Sequence, residues 1–450
     1  MSGTSAYLDF NTWDIPPASF VDAQNGSNAT GVVGDGNKPF QTIAFAITQS
    51  DLVIVKPCQI FETIILNNPN EDNKHIHCMD GVEFLAGGLR VQTNNITRVR
   101  WTGSAIFTGS SCNLVDCIST SAEIDFECNY ADNCRLVVFT SGDPNQTPTV
   151  RFTANWIRCN CFNGGGYAIR CIGGANFEIN VKEFFESQHI LYECRESARG
   201  SFVVNCPQST IIPNYTSSFG NANKDCLRLN NFTRNVDVTI NSDLINQHNS
   251  AGTGVNDSRA CIYFAQITDT LLRPNVVING NLDNLLSPCV VSGFQGAFGD
   301  LQVYGNIIAR NTGGGFAGAP IWNVKSGLGG ATQQFWKFVG STIIGSTRII
   351  VGRGSIMYFI NGTYYQLDAG GGESAFFCEQ TGATPQELYL YNMYVETDNT
   401  GVTPELVKGN SIGAIVGTVD TKANVPFGAT YVDIWGNDYA NQPALIVPQK

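Results

Sequence analysis

Three carboxylates recur at every second position of the segment "AEIDFEC": Glu123, Asp125 and Glu127. In an extended strand successive side chains point to opposite faces, so Ile124, Phe126 and Cys128 turn one way and the three acids the other. Carboxylates two residues apart on a strand lie about 7 Å apart. That falls within the roughly 5 to 9.5 Å separating the two carboxyl groups of a glycoside hydrolase, and makes all three candidates for acid/base work. The same oxygens could instead hold a calcium ion. The plainer reading is a solvated acidic face. Glu178, Lys182, Glu183, Glu193 and Arg195 fall on later strand-like segments and would continue the strip.

Flat aromatic rings are the other device for holding sugars, because they stack on flat apolar partners. Trp101, Tyr130 and Trp156 read as outward or corner positions near the acids and are the candidate carbohydrate-binding residues. Trp322 and Trp336 lie further on. His75 and His77 alternate in "KHIHC" and would need a third ligand from elsewhere to bind metal, so no metal site is assigned. His189 and His248 are isolated.

The chain that must position these groups has 450 residues, 43% hydrophobic and only 14% charged, against roughly 25% charged in ordinary soluble domains. Such a surface is covered by Asn, Thr, Ser, Gly and Gln, which suits β-structure with many turns. A net charge of −12 argues against nucleic acid, whose phosphates need Lys and Arg. No apolar run of about twenty residues exists to insert in a membrane. The first residues, "MSGTSAYLDF", show neither a basic n-region nor an apolar core, so no signal peptide is expected; exit by virion assembly would then be one route out of the cell. The fifteen cysteines mostly sit singly in apolar runs and read as buried free thiols behaving as small hydrophobes. The Cys159/Cys161 pair alone is a weak zinc signal.

Short alternating segments such as "LVIVKP", "ETIIL", "CRLVVFT", "VDVTIN" and "LQVYGNII" follow one another from Asp51, broken by Gly, Asn, Asp or Ser. A spacing of roughly 20 to 30 residues suggests a solenoid of stacked coils. Before the first coil, Pro39 and the stripe Phe40, Ile43, Ala44, Ile47 predict a short amphipathic helix over about 39–48. A solenoid exposes an apolar end and unpaired edges, and this helix would cap them. The expected organisation is a leader at 1–20, a solenoid over 21–365, and a β-rich segment at 366–450 forming either last coils or a separate cap.

The stretch "GDGNKPFQTIAFAI" followed by "IVKPCQIFETIIL" resembles the entry of the pectin lyase-like superfamily, with its Gly-Asp/Asn-Gly turn, its "PF-x-TI-x-x-AI" and its "I-x-V-x-P-G-x-Y-x-E". Cys58 stands where that family usually has Gly, and Ile60-Phe61 replaces its Tyr region. The likeness is specific over residues 21 to about 85 and a matter of pattern to about 365. It implies an all-β fold, a right-handed parallel β-helix with a short N-terminal capping helix. The Asn-Thr-Asp, Asp-Asp, Gly-His-Gly and Arg-Ile-Lys set of polygalacturonases is not met here, and no lyase signature is complete. Among such folds the chain looks most like viral tailspike or fibre proteins. That resemblance implies a virion-associated homotrimer that binds host surface polysaccharide and docks on other virion proteins through its leader. A depolymerase acting through the outward acids, and a purely structural capsid or scaffold protein, are the alternatives. No cofactor is expected beyond the calcium ion the acids could take.

Overall fold

A computed structural model describes residues 17–109, 112–140, 146–159, 167–187, 190–207, 209–212, 225–229, 236–247, 251, 259–264, 274–293, 299–312, 316–323, 334–352, 354–367, 374–378, 386–397, 407–409, 412–421 and 432–433. Most of the leader (1–16), His189, His248 and Cys161 lie outside the described residues, as do the side chains of Glu193 and Arg195.

The fold is an all-β parallel β-helix. Each coil contributes a strand to each of three stacked parallel sheets. Sheet A runs from Leu52–Val55 through Lys74–Cys78, Arg98–Gly103, Glu123–Glu127 and Thr149–Ala154. Sheet B includes Gln59–Ile60, Glu83–Phe84, Ile106–Phe107, Tyr130–Asp132 and Trp156–Cys159. Sheet C includes Thr63–Leu66, Gly87–Val91, Cys112–Ile118 and Arg135–Thr140. Tyr167–Val181 and Ile190–Asn205 run from sheet C into sheet A without a break. Strands Phe376–Cys378, Gln386–Thr397 and Val407–Gly409 continue the same ladders toward the C-terminus.

Period-2 alternation builds the core. Along sheet A the inward column runs Ile76, Trp101, Phe126, Phe152, Ile179 and Val204, each at 2% exposure or less. Like stacks on like: Trp101 lies 5.0 Å from Phe126, and Phe126 lies 5.4 Å from Phe152 in near-parallel planes. The thirteen cysteines whose side chains are described are all free and buried, as small apolar fillers should be.

The turn from sheet A to sheet B is held by asparagines. Asn155 donates its amide to Asn129 at 2.6 Å; further along, Asn205 donates to Asn180, Asn241 to Asn205 and Asn279 to Asn241 at 2.6–2.8 Å. The steps between these partners are 26, 25, 36 and 38 residues. The middle coils therefore exceed the 20–30 read from the sequence, because their extra residues fall between strands and leave the ladder register intact.

The N-terminal helix is shorter than expected: five residues, Ile43–Ile47, with the Thr42 hydroxyl accepting from the Phe45 N–H. Pro39 and Phe40 precede it in extended backbone, and Phe40 bridges Val21 as a strand residue would. Phe40, Ile43, Ala46 and Ile47 are buried while Ala44 is exposed. The helical stripe failed there because Phe40 belongs to a parallel bridge and obeys no helical period.

Candidate functional site

Strand Glu123–Glu127 presents its acids outward as expected, with Ile124 and Phe126 buried beneath. The three acids are not equivalent. Asp125 is gripped from both neighbouring coils, by Arg98 at 3.3 Å and Arg151 at 3.0 Å. Glu123 lies 3.9 Å from the same Arg151. The Asp125 carboxylate holds the Arg151 guanidinium above its ordinary pKa. Outward side chains of adjacent coils stand one strand spacing apart, about 4.8 Å; Arg151 is in register with Asp125, and Arg98, in register with Glu123, reaches it diagonally. Asp125 thus acts as a clamp between coils. Its oxygens are occupied, which disfavours it as a catalytic acid or calcium ligand.

Glu127 is different. It is exposed, makes no side-chain hydrogen bond or ion pair among the described residues, and lines a cleft of about 560 Å³ at the turn from sheet A to sheet B. Asp80 and Lys182 line the same cleft and are likewise exposed and uncommitted. Between the coils of Asp80 and Glu127, the coil that lines the cleft offers small groups, Gly103 and Ser104, beside Ile106. Gly103 is required, since its φ of 103° is left-handed and a Cβ would lie 2.0 Å from the Cys78 carbonyl oxygen. Asn129, Asn155 and Thr153 add amide and hydroxyl groups to the wall.

Tyr130 closes one side. Its ring stacks on Trp156 at 4.3 Å, and Trp156 on Phe184 at 5.4 Å, all half-exposed on the outside of sheet B. Stacking along the solenoid axis uses up the ring faces within the column. The face of Tyr130 turned away from Trp156 looks toward Ile106, its partner in the preceding coil, and both line the cleft. On that side the Tyr130 ring therefore meets an aliphatic neighbour and no second ring, and Tyr130 is half-exposed.

Trp101 corrects the sequence reading. It is fully buried, its indole Nε1–H without a partner among Phe84, Phe107 and Phe126. The strand "RVRWTG" puts Arg98, Arg100 and Thr102 outward, so parity sends Trp101 into the core. Trp336 is also core, its Nε1 donating to the Gly299 carbonyl, while Trp322 is half-exposed against Phe316. His75 and His77 converge on one hydroxyl, Thr102 Oγ1, at 2.8 and 3.1 Å. Burial, then Arg100, hold His75 below its ordinary pKa. Among the described residues no group of three His, Cys, Asp or Glu is placed to hold a metal ion.

Residue types and spacing do not point to Asp80 or Phe184 as site residues, and reach Lys182 only through its place on the strip. Phe184 was legible in "EFFES", where alternation with a buried Phe185 sends it outward. Asp80 was not, because only the stacking of coils brings it to the cleft that Glu127 lines. No protein-family model matches the chain, and no curated protein or solved structure matches it either.

Proposed function

We propose that the protein is a virion-associated spike or fibre-type β-helix, akin to the pectin lyase-like superfamily, that binds host surface carbohydrate through the Tyr130 cleft. The observation carrying this reading is the half-exposed Tyr130 ring lining a cleft beside uncommitted polar groups. An apolar ring face meets the C–H face of a sugar, and carboxylates, amides and hydroxyls meet its hydroxyl groups. The low surface charge and one-dimensional architecture suit an elongated attachment protein, and side-by-side packing into a homotrimer suits a β-helix spike. Glycan-array binding by wild type and Tyr130→Ala tests the cleft. Loss of a defined glycan signal in the variant supports the reading, and an unchanged array removes it.

A depolymerase is the second reading, favoured by one observation: Glu127 and Asp80 are free carboxylates in one cleft, whereas Asp125 is clamped. Incubation with the bound polysaccharide, followed by sizing of the products, tests it. Cleavage that survives Glu127→Gln and Asp80→Asn together would place any activity elsewhere.

A further inference from the structure

We infer that the cleft selects sugars bearing a free amino group over anionic ones; this rests on the carbohydrate reading above and specifies its ligand. The charged side chains lining the cleft are Asp80, Glu127 and Lys182, an acidic balance. In sheet A, Arg98 and Arg151 are engaged by Asp125, while the exposed Arg100, three residues before Gly103, lies outside the lining and leaves the balance of the lining itself acidic. Asp80 and Glu127 come from the coils on either side of the one that supplies Gly103, Ser104 and Ile106 to the lining. An ammonium seated over that coil would have a carboxylate on each side, with both charges exposed rather than desolvated.

The amides add direction. The Asn155 side-chain nitrogen donates to Asn129 Oδ1, which leaves the Asn155 side-chain oxygen as a third acceptor on the wall. The Asn129 nitrogen and the Ser104 and Thr153 hydroxyls remain as donors for ring hydroxyls. A uronate or sulfate group would face two like charges with Lys182 as the one cation in the lining. Tyr130 supplies the same apolar contact to any of these sugars, so charge decides among them.

The test is calorimetric titration of the full chain at pH 6, where a sugar amine is protonated, with three tetrasaccharides: β-1,4-linked glucosamine, its fully N-acetylated form, and α-1,4-linked galacturonate. The amine ligand should bind about fivefold tighter than the acetylated one, the effect of one exposed ion pair, and the advantage should shrink as salt rises. Asp80→Asn combined with Glu127→Gln should pull the amine ligand down toward the acetylated one. Circular dichroism of that variant checks that the fold is intact.

Equal affinity for amine and acetylated ligands overturns the inference and leaves carbohydrate binding standing. Preference for galacturonate overturns it as well. So does galacturonate binding that appears only with added calcium, since the acids would then be holding the ion. Binding of none of the three, together with no Tyr130-dependent signal on a broad glycan array, overturns both this inference and the carbohydrate reading.

Discussion

The rings of Tyr130 and Trp156 lie 4.3 Å apart with their planes 7° from parallel, so each covers one face of the other; Trp156 also stacks on Phe184, and of the three rings Tyr130 is the one that lines the cleft. Tyr130→Ala should therefore lower glycan affinity about tenfold, in line with an aromatic stacking contribution of about 1 kcal/mol plus lost contact area. Tyr130→Phe should keep most of the affinity. Trp156→Ala should have an intermediate effect, because it removes the backing and no contacting face. Titration of the three variants against one glycan checks this order; Trp156→Ala weaker than Tyr130→Ala would reverse the assignment of the contacting ring.

Asp125→Asn should change thermal stability by less than about 1 kcal/mol, since both bridges are partly exposed and such pairs contribute little each. It should leave glycan binding and any polysaccharide turnover as in wild type, because its oxygens point at Arg98 and Arg151. Parallel melts and a turnover assay decide; loss of activity with an intact fold would restore Asp125 as a functional carboxylate.

Strand parity was legible in the sequence because it is local. It placed Ile124 and Phe126 inside and Glu123, Asp125 and Glu127 outside from residue order alone. Applied strictly to "RVRWTG", it would also have placed Trp101 inside. Which outward groups meet was not legible, because that depends on how many residues each coil inserts between strands. Arg98, Asp125 and Arg151 come together only once steps of 26 and 27 residues are known. The helix over 39–48 was overread for a similar reason: Phe40 fits a helical stripe by spacing but is claimed by its bridge to Val21.

Trp101→Ala should destabilise by about 3–5 kcal/mol, the range for removing a large buried aromatic. Trp101→Phe should cost under about 1.5 kcal/mol. It keeps the stack on Phe126 and deletes an indole N–H that has no partner. Denaturant melts with constant m-values check both; equal losses would mean the indole is held by something other than ring packing.

Two acids predict where acid unfolding begins. Burial pushes Glu71 up, but N–H groups of Asn68 and Asn67, the Asn68 amide and Lys74 outweigh it and hold the carboxyl below its ordinary 4.5. Burial likewise opposes Asp72, yet N–H groups of Thr97 and Arg98, with the Thr97 hydroxyl and the Asn73 N–H, hold it below 3.8. With folded values depressed, their stabilisation is present above the ordinary values and is lost as pH falls through them to the depressed ones. Glu62 runs the other way: burial raises it against the N–H bonds from Ile43 and Ala44. Its ionised form therefore weighs against the fold at neutral pH, and the penalty eases as pH drops toward its raised value. Glu71→Gln should lower stability by about 1 kcal/mol at pH 7 and flatten the loss below pH 4.5, whereas Glu62→Gln should not lower it at pH 7. Melts from pH 3 to 7 check the signs; a Glu71→Gln curve parallel to wild type would show that the carboxylate's bonds do not matter.

Phe40 is buried in the first described coil, and its removal should show what that packing is worth. Its side chain is 2% exposed and packs on Phe45 at 5.5 Å. Its backbone donates to the Phe20 carbonyl at 2.7 Å and accepts from the Asp22 N–H at 2.9 Å. Gly31 lies against the ring so closely that a Cβ there would sit 2.5 Å from it. The helix Ile43–Ile47 then packs on the strands Ser19–Val21, Leu52–Val55 and Thr63–Leu66. Phe40→Asp would bury a carboxylate in an apolar seat and should destabilise by about 3 kcal/mol or more. Freed from Phe40, the first coil would expose strand edges that recruit other chains, so light scattering should show aggregation below the melting temperature. Phe45→Asp, at a side chain 37% exposed, should do neither. If Phe40→Asp melts and scatters like wild type, the first described coil is held by other residues and the role given to Phe40 falls.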